Sequence, residues 1–244
     1  MKLHLATWPD IEAYLRTSTG IVIPIGSTEQ HGPSGLIGTD AICPETIAGG
    51  MAEHDILVAP TLSVGMAQHH LAFPGSITLK PTTLIAVVRD VVGSLAGQGF
   101  DHFYFLNGHG GNVATVNAAF SEIWAEHSMR GSASGLRLKI FNWFEGRRVA
   151  ALSKELFGEA EGSHATPSEV SLTWHAYPEA ARDVPMDPKR APDGPIRDAH
   201  DYRKTFPDGR IGSEPDLASA EHGARLYRAA LEDALEDYRS FLGE

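Results

Sequence analysis

A lone cysteine, Cys43, leaves no partner for a disulfide and no thiolate set for a zinc site. No uncharged apolar run approaches the roughly 20 residues that a membrane-spanning helix needs. Near the start, Trp8-Pro9-Asp10 stands where a signal peptide would require an unbroken apolar stretch, so a cytoplasmic protein is expected. Positive charge is scarce: 20 Lys+Arg face 31 Asp+Glu, a formal net charge of −11. Phosphate contacts need clustered Lys and Arg, so a nucleic-acid partner is not expected. What is present is a 244-residue chain, 42% hydrophobic, enough for a proper core and suited to one domain over residues 1–244. It also carries 12 histidines. Their placement is what matters.

Short β-branched or apolar runs at 20–25, 56–62, 100–106 and 136–144 read as strands. Helices are expected from Pro44 to about 54, from Pro81 to Gly97, over 113–127, over 146–157, from about Pro167, and over 217–242. The stretch 63–76 reads as an irregular loop. The stretch 178–216, dense in Pro, Asp, Arg and Gly, reads as a long surface excursion of the kind that covers a site or an interface. Strand and helix alternate, which predicts an α/β fold: a three-layer α/β/α sandwich around a mostly parallel sheet.

In such a sheet, ligands bind beyond the carboxyl ends of the strands. The first strand ends in Gly26-Ser-Thr-Glu29-Gln-His31-Gly32-Pro33, followed by Gly38-Thr39-Asp40. The strand at 100–106 ends in Asn107-Gly-His109-Gly-Gly-Asn112, and the one at 56–62 leads to His69-His70. Crowded carboxylates repel unless something positive lies between them, and interleaved imidazoles suggest a divalent metal. Glu29 and His31, two apart, would point to opposite faces of an extended chain. Either the chain turns there, or each serves a different ion of a pair with Asp40 bridging. An all-nitrogen-and-oxygen donor set favours Zn²⁺ or Mn²⁺. A second cluster holds His164 and Glu169, where Glu169 also fits the first turn of a helix capped by Thr166 or Ser168. Singly, Glu29 reads equally as a capping acid, His31 as a turn residue and Asp40 as an N-cap. Of His69 and His70, at least one is expected to be structural.

Together, Gly26–Pro33 with Thr39-Asp40, His70-Leu-Ala-Phe-Pro-Gly75, Asn107–Asn112, His164-Ala165 with Glu169 and Ser171, and Pro215–Gly223 resemble the creatininase (creatinine amidohydrolase) family over about residues 20–223. The resemblance implies an α/β/α fold, two divalent ions per subunit (Zn or Mn), hydrolysis of non-peptide C–N bonds in small cyclic or formyl amides, and a homo-oligomer, a hexamer in many members. It implies Glu29 and His109 on one ion, His31 on the other, Asp40 bridging, and His164 as acid–base group at the scissile nitrogen. Where creatininases carry a second-ion glutamate, this chain has Gly111, and Glu169 takes the place of the ligand used in other branches, with a catalytic part as well. Ser34–Ile37 and Thr166 also depart from the family pattern, so creatinine is not the expected substrate. Trp143 matches an aromatic that closes over substrate. The same resemblance leaves two alternatives: a deformylase of a nucleotide-derived formamide, and an idle metal-binding assembly protein.

Overall fold

The fold is taken from a computed structural model that describes residues 1–243. Three parallel strands form its sheet in the order β1 (Gly20–Ile25), β2 (His102–Asn107) and β3 (Arg137–Asn142). They run level, so that Ile25 stands opposite Asn107 and Asn107 opposite Asn142. All three carboxyl ends therefore open onto one rim.

Alternation along the strands divides the core into two layers. Ile21, Ile23, Ile25, Phe103 and Phe105 face helices α3 (Pro81–Ala96) and α4 (Val113–Met129), meeting Leu84, Val88, Val92, Val116 and Phe120. Val22, Tyr104 and Leu106 face the other way. They join α2 (Thr39–Met51), α5 (Arg147–Leu156), α6 (Pro167–Ala176) and α8 (Ala220–Leu242) through Ile47, Val149, Leu172, Leu226 and Tyr238. A short α1 (Trp8–Tyr14) precedes β1. The expected three-layer α/β/α architecture is the one observed. Among the described residues, no helix is long and apolar enough to cross a membrane.

Four expected boundaries are corrected. Residues 56–62 are not a regular strand. They run beside β1 through isolated bridges, Val58 to Val22 and Leu62 to Ile25, because Pro24 and Pro60 have no N–H to continue a ladder. The helix expected from Pro44 starts five residues earlier, at Thr39, and carries Pro44 inside it. Asp40 is consequently a first-turn residue and not an N-cap. The last helix begins at Ala220, where the Ser219 hydroxyl accepts the His222 N–H, so Leu217 belongs to a separate short turn. The excursion at 178–216 contains a helix, α7 (Ala199–Thr205), capped by Asp198. Its Tyr202 packs with Phe73, Phe206 and Ile211 in a small satellite core.

One close approach sets the rim. A Cβ on Gly108 would lie 2.0 Å from the Asp40 carbonyl oxygen, a backbone atom that cannot swing aside. Pro44 has no N–H for that carbonyl, which leaves it free to press against the loop leaving β2. Gly108→Ala is expected to cost about 1–3 kcal/mol in urea unfolding, as overpacking does. A variant with an unchanged midpoint would show that the two segments do not depend on this contact.

Candidate metal centre

The loop after β1 does turn. Thr28 bridges to Ile77, His31 to Gly35, and Gly32 takes a positive φ of 65°. Both Glu29 and His31 consequently point inward and are buried. The loop after β2 is held by its asparagines. Asn107 Nδ2 donates to the His109 carbonyl (2.6 Å) and to Asn142 Oδ1 (2.8 Å). Asn112 Nδ2 donates to the Gly26 carbonyl (2.9 Å), while its Oδ1 accepts the Met66 N–H (3.0 Å). These amides clip three loops together around His109.

Asp40 sits between two imidazoles. Its Oδ1 lies 3.1 Å from His31 Nε2, and its Oδ2 lies 3.1 Å from His109 Nδ1. Each ring is aimed by its other nitrogen: His31 Nδ1 donates to the Glu29 carbonyl (3.1 Å) and His109 Nε2 to the Met66 carbonyl (2.8 Å). Glu29 Oε1 is 3.3 Å from His109 Nδ1 and 3.0 Å from His70 Nε2. Glu169 Oε2 is 3.8 Å from His31 Nε2. Its Oε1 meanwhile accepts the Thr166 N–H (2.6 Å) in a capping box at the start of α6. Thus one residue caps a helix and faces the cluster, so the two readings of Glu169 are not exclusive. His164 Nδ1 is 3.9 Å from Glu29 Oε1, and its ring packs 4.5 Å from that of His31 and 4.6 Å from that of His70.

Three sets of potential ligand atoms each lie within 4.8 Å of one another: Glu29, Asp40 and His109; His31, Asp40 and Glu169; and Glu29, His31 and His164. The structure therefore brings Glu29, His31, Asp40, His109, His164 and Glu169 to one place. His69 and His70, of which at least one was expected to be structural, both reach the pocket, and Tyr202 and Glu161, which the sequence did not single out, line it as well. Gln30 joins His70 and Tyr202. The Asp198 cap and the Tyr202–Phe206 pair at i,i+4 were the available signals for α7; nothing local marks Gln30.

Position 111 is closed to a side chain. A Cβ there would lie 2.4 Å from His109 Nε2 and 2.9 Å from the Met66 carbonyl oxygen. The hydrogen bond that aims His109 occupies the space that a side chain at 111 would need.

The electrostatics of the cluster are severe. Burial alone would push His31 down, but Asp40 and Glu169 overcome it and lift the ring to about 10. His109 stands at about 9, since Glu29 and Asp40 outweigh its burial. Burial would raise Asp40, yet His31 and His109 hold it well below the usual carboxylate range. Burial, with Asp40 beside it, pushes Glu29 up to about 7, and burial also raises Glu169. His164 is pushed well down by burial and by its neighbours His31 and His70.

A metal fits these residues by a direct test. Glu29 Oε1 and Asp40 Oδ2 are shielded from solvent, and neither makes a hydrogen bond of acceptable geometry despite the nearby rings. Buried carboxylate oxygens seldom stay unsatisfied, because each costs its lost hydration. Here both face the same gap, and the donors around it are nitrogen and oxygen, a set suited to Zn²⁺ or Mn²⁺. Beside it opens a cavity of about 560 Å³. Trp143, Phe144, Pro195, Ile196 and Ile211 form its apolar wall, and no Lys or Arg lines it.

The family profile described as creatininase, creatinine amidohydrolase, matches residues 4–237. A mycofactocin precursor peptide peptidase of Mycolicibacterium smegmatis is 34% identical over 106 residues, 41% of this chain and 42% of that protein. The chain thus spans less than half the length of that relative. A protein of the same name from Mycobacterium ulcerans is 25% identical over 247 aligned positions, 94% of this chain and 84% of the relative. The creatinine amidohydrolase of Pseudomonas putida is 25% identical over 186 residues, 71% and 70% of the two chains. Among solved structures, a creatinine amidohydrolase superposes with a TM-score of 0.86 at 21% identity, over 98% of this chain and 96% of that one. A structure titled creatininase Mn superposes at 0.82 and 22% identity, over 98% and 97%.

Proposed function

Since the chain belongs to the creatininase family, we propose that it is a metal-dependent amidohydrolase cleaving a non-peptide C–N bond of a small cyclic or formyl amide. The observation that carries this reading is the pair of buried, unsatisfied oxygens, Glu29 Oε1 and Asp40 Oδ2. Two Zn²⁺ or Mn²⁺ ions are proposed per subunit. Glu29 and His109 would hold one, His31 and Glu169 the other, and Asp40 would offer an oxygen to each. When bound, such ions polarise a carbonyl and make water acidic near neutral pH.

The side chains do the rest. His31 and His109 are held in place by backbone carbonyls, so their free nitrogens need no reorientation. His164 is neutral in its buried setting and can take a proton at Nδ1, the nitrogen facing the cluster, then deliver it to the leaving nitrogen. Gly110 and Gly111 line the cavity where an oxyanion would develop, while the N–H groups of Gly108 and His109 are taken by Ile25 and Asn107. Trp143 and the apolar wall exclude water around the scissile bond.

A peptide-like substrate is the second reading. It is favoured by the printed names of the mycobacterial relatives and by a cavity of about 560 Å³, ample for more than a small ring. A phosphate-bearing formamide is not favoured, because no Lys or Arg lines the pocket. A homo-oligomer, by family a hexamer, is supported by Ile37, Leu71 and Ile77, exposed on the loops beside the site.

The deciding experiment is elemental analysis of the purified protein with a screen of cyclic amides, formamides and short peptides, with and without chelator. Turnover that chelator abolishes and added Zn²⁺ or Mn²⁺ restores is the expected result. Full turnover in chelator, or a protein that takes up no ion and stays inert, refutes it.

The ion-free charge state adds a further expectation. His31, at about 10, and His109, at about 9, are protonated near neutral pH in the absence of ions. Metal ligation needs neutral imidazole, so binding expels those protons and affinity rises with pH. Calorimetric titration of Zn²⁺ into chelator-treated protein, in two buffers of different ionisation heat, should show release of about two protons from the imidazoles, with more where Glu29 is still protonated. Heats independent of the buffer would count against these two ligands.

A further inference from the structure

Gln30 lies between two inward-facing residues, and both ends of its side-chain amide are fixed by main chain. Its Oε1 accepts the Gly32 N–H at 2.8 Å, and its Nε2 donates to the Gly209 carbonyl at 2.9 Å. An N–H needs an acceptor and a carbonyl needs a donor, so the amide cannot be flipped. The approach of Gly209 is tight: a Cβ there would lie 1.9 Å from Gln30 Oε1, at a φ of 86°.

One amide proton remains. His70 Nδ1 and His164 Nε2 both lie 3.0 Å from Gln30 Nε2, with the Tyr202 hydroxyl oxygen at 3.1 Å. His164 Nε2 also lies 2.8 Å from Gln30's own main-chain carbonyl, which only accepts. That nitrogen therefore carries a proton and cannot receive another. The Tyr202 hydroxyl gives its own proton to the Gly209 carbonyl at 2.7 Å, and His70 Nδ1, facing an amide nitrogen that only donates, has to be an acceptor.

We infer that Gln30 is a positioning residue that selects the tautomers of two histidines. It places the proton of His70 on Nε2, facing Glu29 Oε1 at 3.0 Å, while its backbone carbonyl places that of His164 on Nε2 and leaves Nδ1 bare toward the cluster. Glu29 Oε1, the oxygen offered above as a ligand atom, thereby faces an N–H and not a second lone pair, and His164 starts each cycle as a proton acceptor. Because Gly209 belongs to the excursion that carries α7, the same amide ties that segment to the centre. The part concerning Glu29 rests on the ligand assignment proposed above; the tautomers do not.

Long-range ¹H–¹⁵N correlation NMR of the full chain loaded with Zn²⁺ reads both tautomers directly. The expected result is Nε2–H for His70 and for His164. Nδ1–H on either ring overturns the inference without touching the hydrolase reading, and absence of turnover leaves the tautomers as they are. Gln30→Glu keeps the acceptor for Gly32 but presents oxygen to His70, so the His70 proton should move to Nδ1. Zn²⁺ affinity, measured against a competing chelator, should fall about 10–100-fold, as loss of an outer-shell partner does. Gly209→Ala, which displaces Gln30 without altering it, should weaken Zn²⁺ binding in the same direction. A Gln30→Glu protein with the His70 tautomer and Zn²⁺ affinity of the parent refutes the role. If neither variant folds, the tautomers of the parent protein alone decide.

Discussion

Asp40→Asn is expected to abolish ion uptake and turnover together. Among the described residues, Asp40 is the one carboxylate whose two oxygens face two different imidazoles, each at 3.1 Å, so no neighbour can take over both roles. The ion-free protein should suffer too, by about 3 kcal/mol near neutral pH, because His31 and His109 lose the charge that balances their protons. The pH dependence has a definite sign. Asp40 has a depressed folded value, so its contribution is present above the ordinary carboxylate range and is lost as pH falls through that lower value. His31 and His109 have raised values, so theirs is present below about 6.5 and lost as pH rises through about 9 to 10. Denaturant unfolding of chelator-treated parent protein should therefore weaken at alkaline pH, and the variant should lose that alkaline limb. An asparagine variant that binds ions and turns over like the parent would remove the basis for a shared centre.

His164→Ala is expected to behave in the opposite way. Ion content should stay at the parent level, since His164 makes the longest approach to the cluster, 3.9 Å from Glu29. Turnover should fall by about 10²–10⁴-fold, the usual contribution of a positioned acid–base group. The ring also fills space against His31 and His70, so His164→Asn serves as a control that restores part of the volume. Loss confined to turnover in both variants supports a proton-transfer role. Unimpaired turnover in the alanine variant refutes it, and loss of ions would reassign His164 as a ligand.

The candidate centre was legible where chemistry and strand ends coincide. Glu29 and His109 follow β1 and β2 closely, Asp40 opens the helix after β1, and the strand-end rule directs all three to one rim. Glu169 was legible in two incompatible-looking ways, as a first-turn acid and as a candidate ligand, and the structure leaves room for both, with Oε1 in the capping box and Oε2 facing His31. His70 was harder, because a histidine pair in a glycine-rich loop has no period from which to read a direction. Gln30 was invisible: a glutamine between two candidate ligands signals nothing until Gly32, Gly209 and two rings surround it. The early start of α2 was missed for a physical reason. Pro44 suggests a first turn, where its missing N–H costs nothing, but the carbonyl that it leaves unbonded packs against Gly108 instead.

Local sequence, then, determined what depends on near neighbours: the alternation of strands and helices, the glycines that bare each strand end, and the donor types that could hold an ion. Tertiary structure decided what depends on distant segments meeting. It chose which oxygens of Asp40 and Glu29 stay unsatisfied, closed position 111 to any side chain, and brought the α7 excursion over the centre. Contacts between segments distant in sequence made those choices, Met66 with position 111, Asp40 with His109 and Gln30 with Gly209, and such contacts leave no periodic trace along the chain.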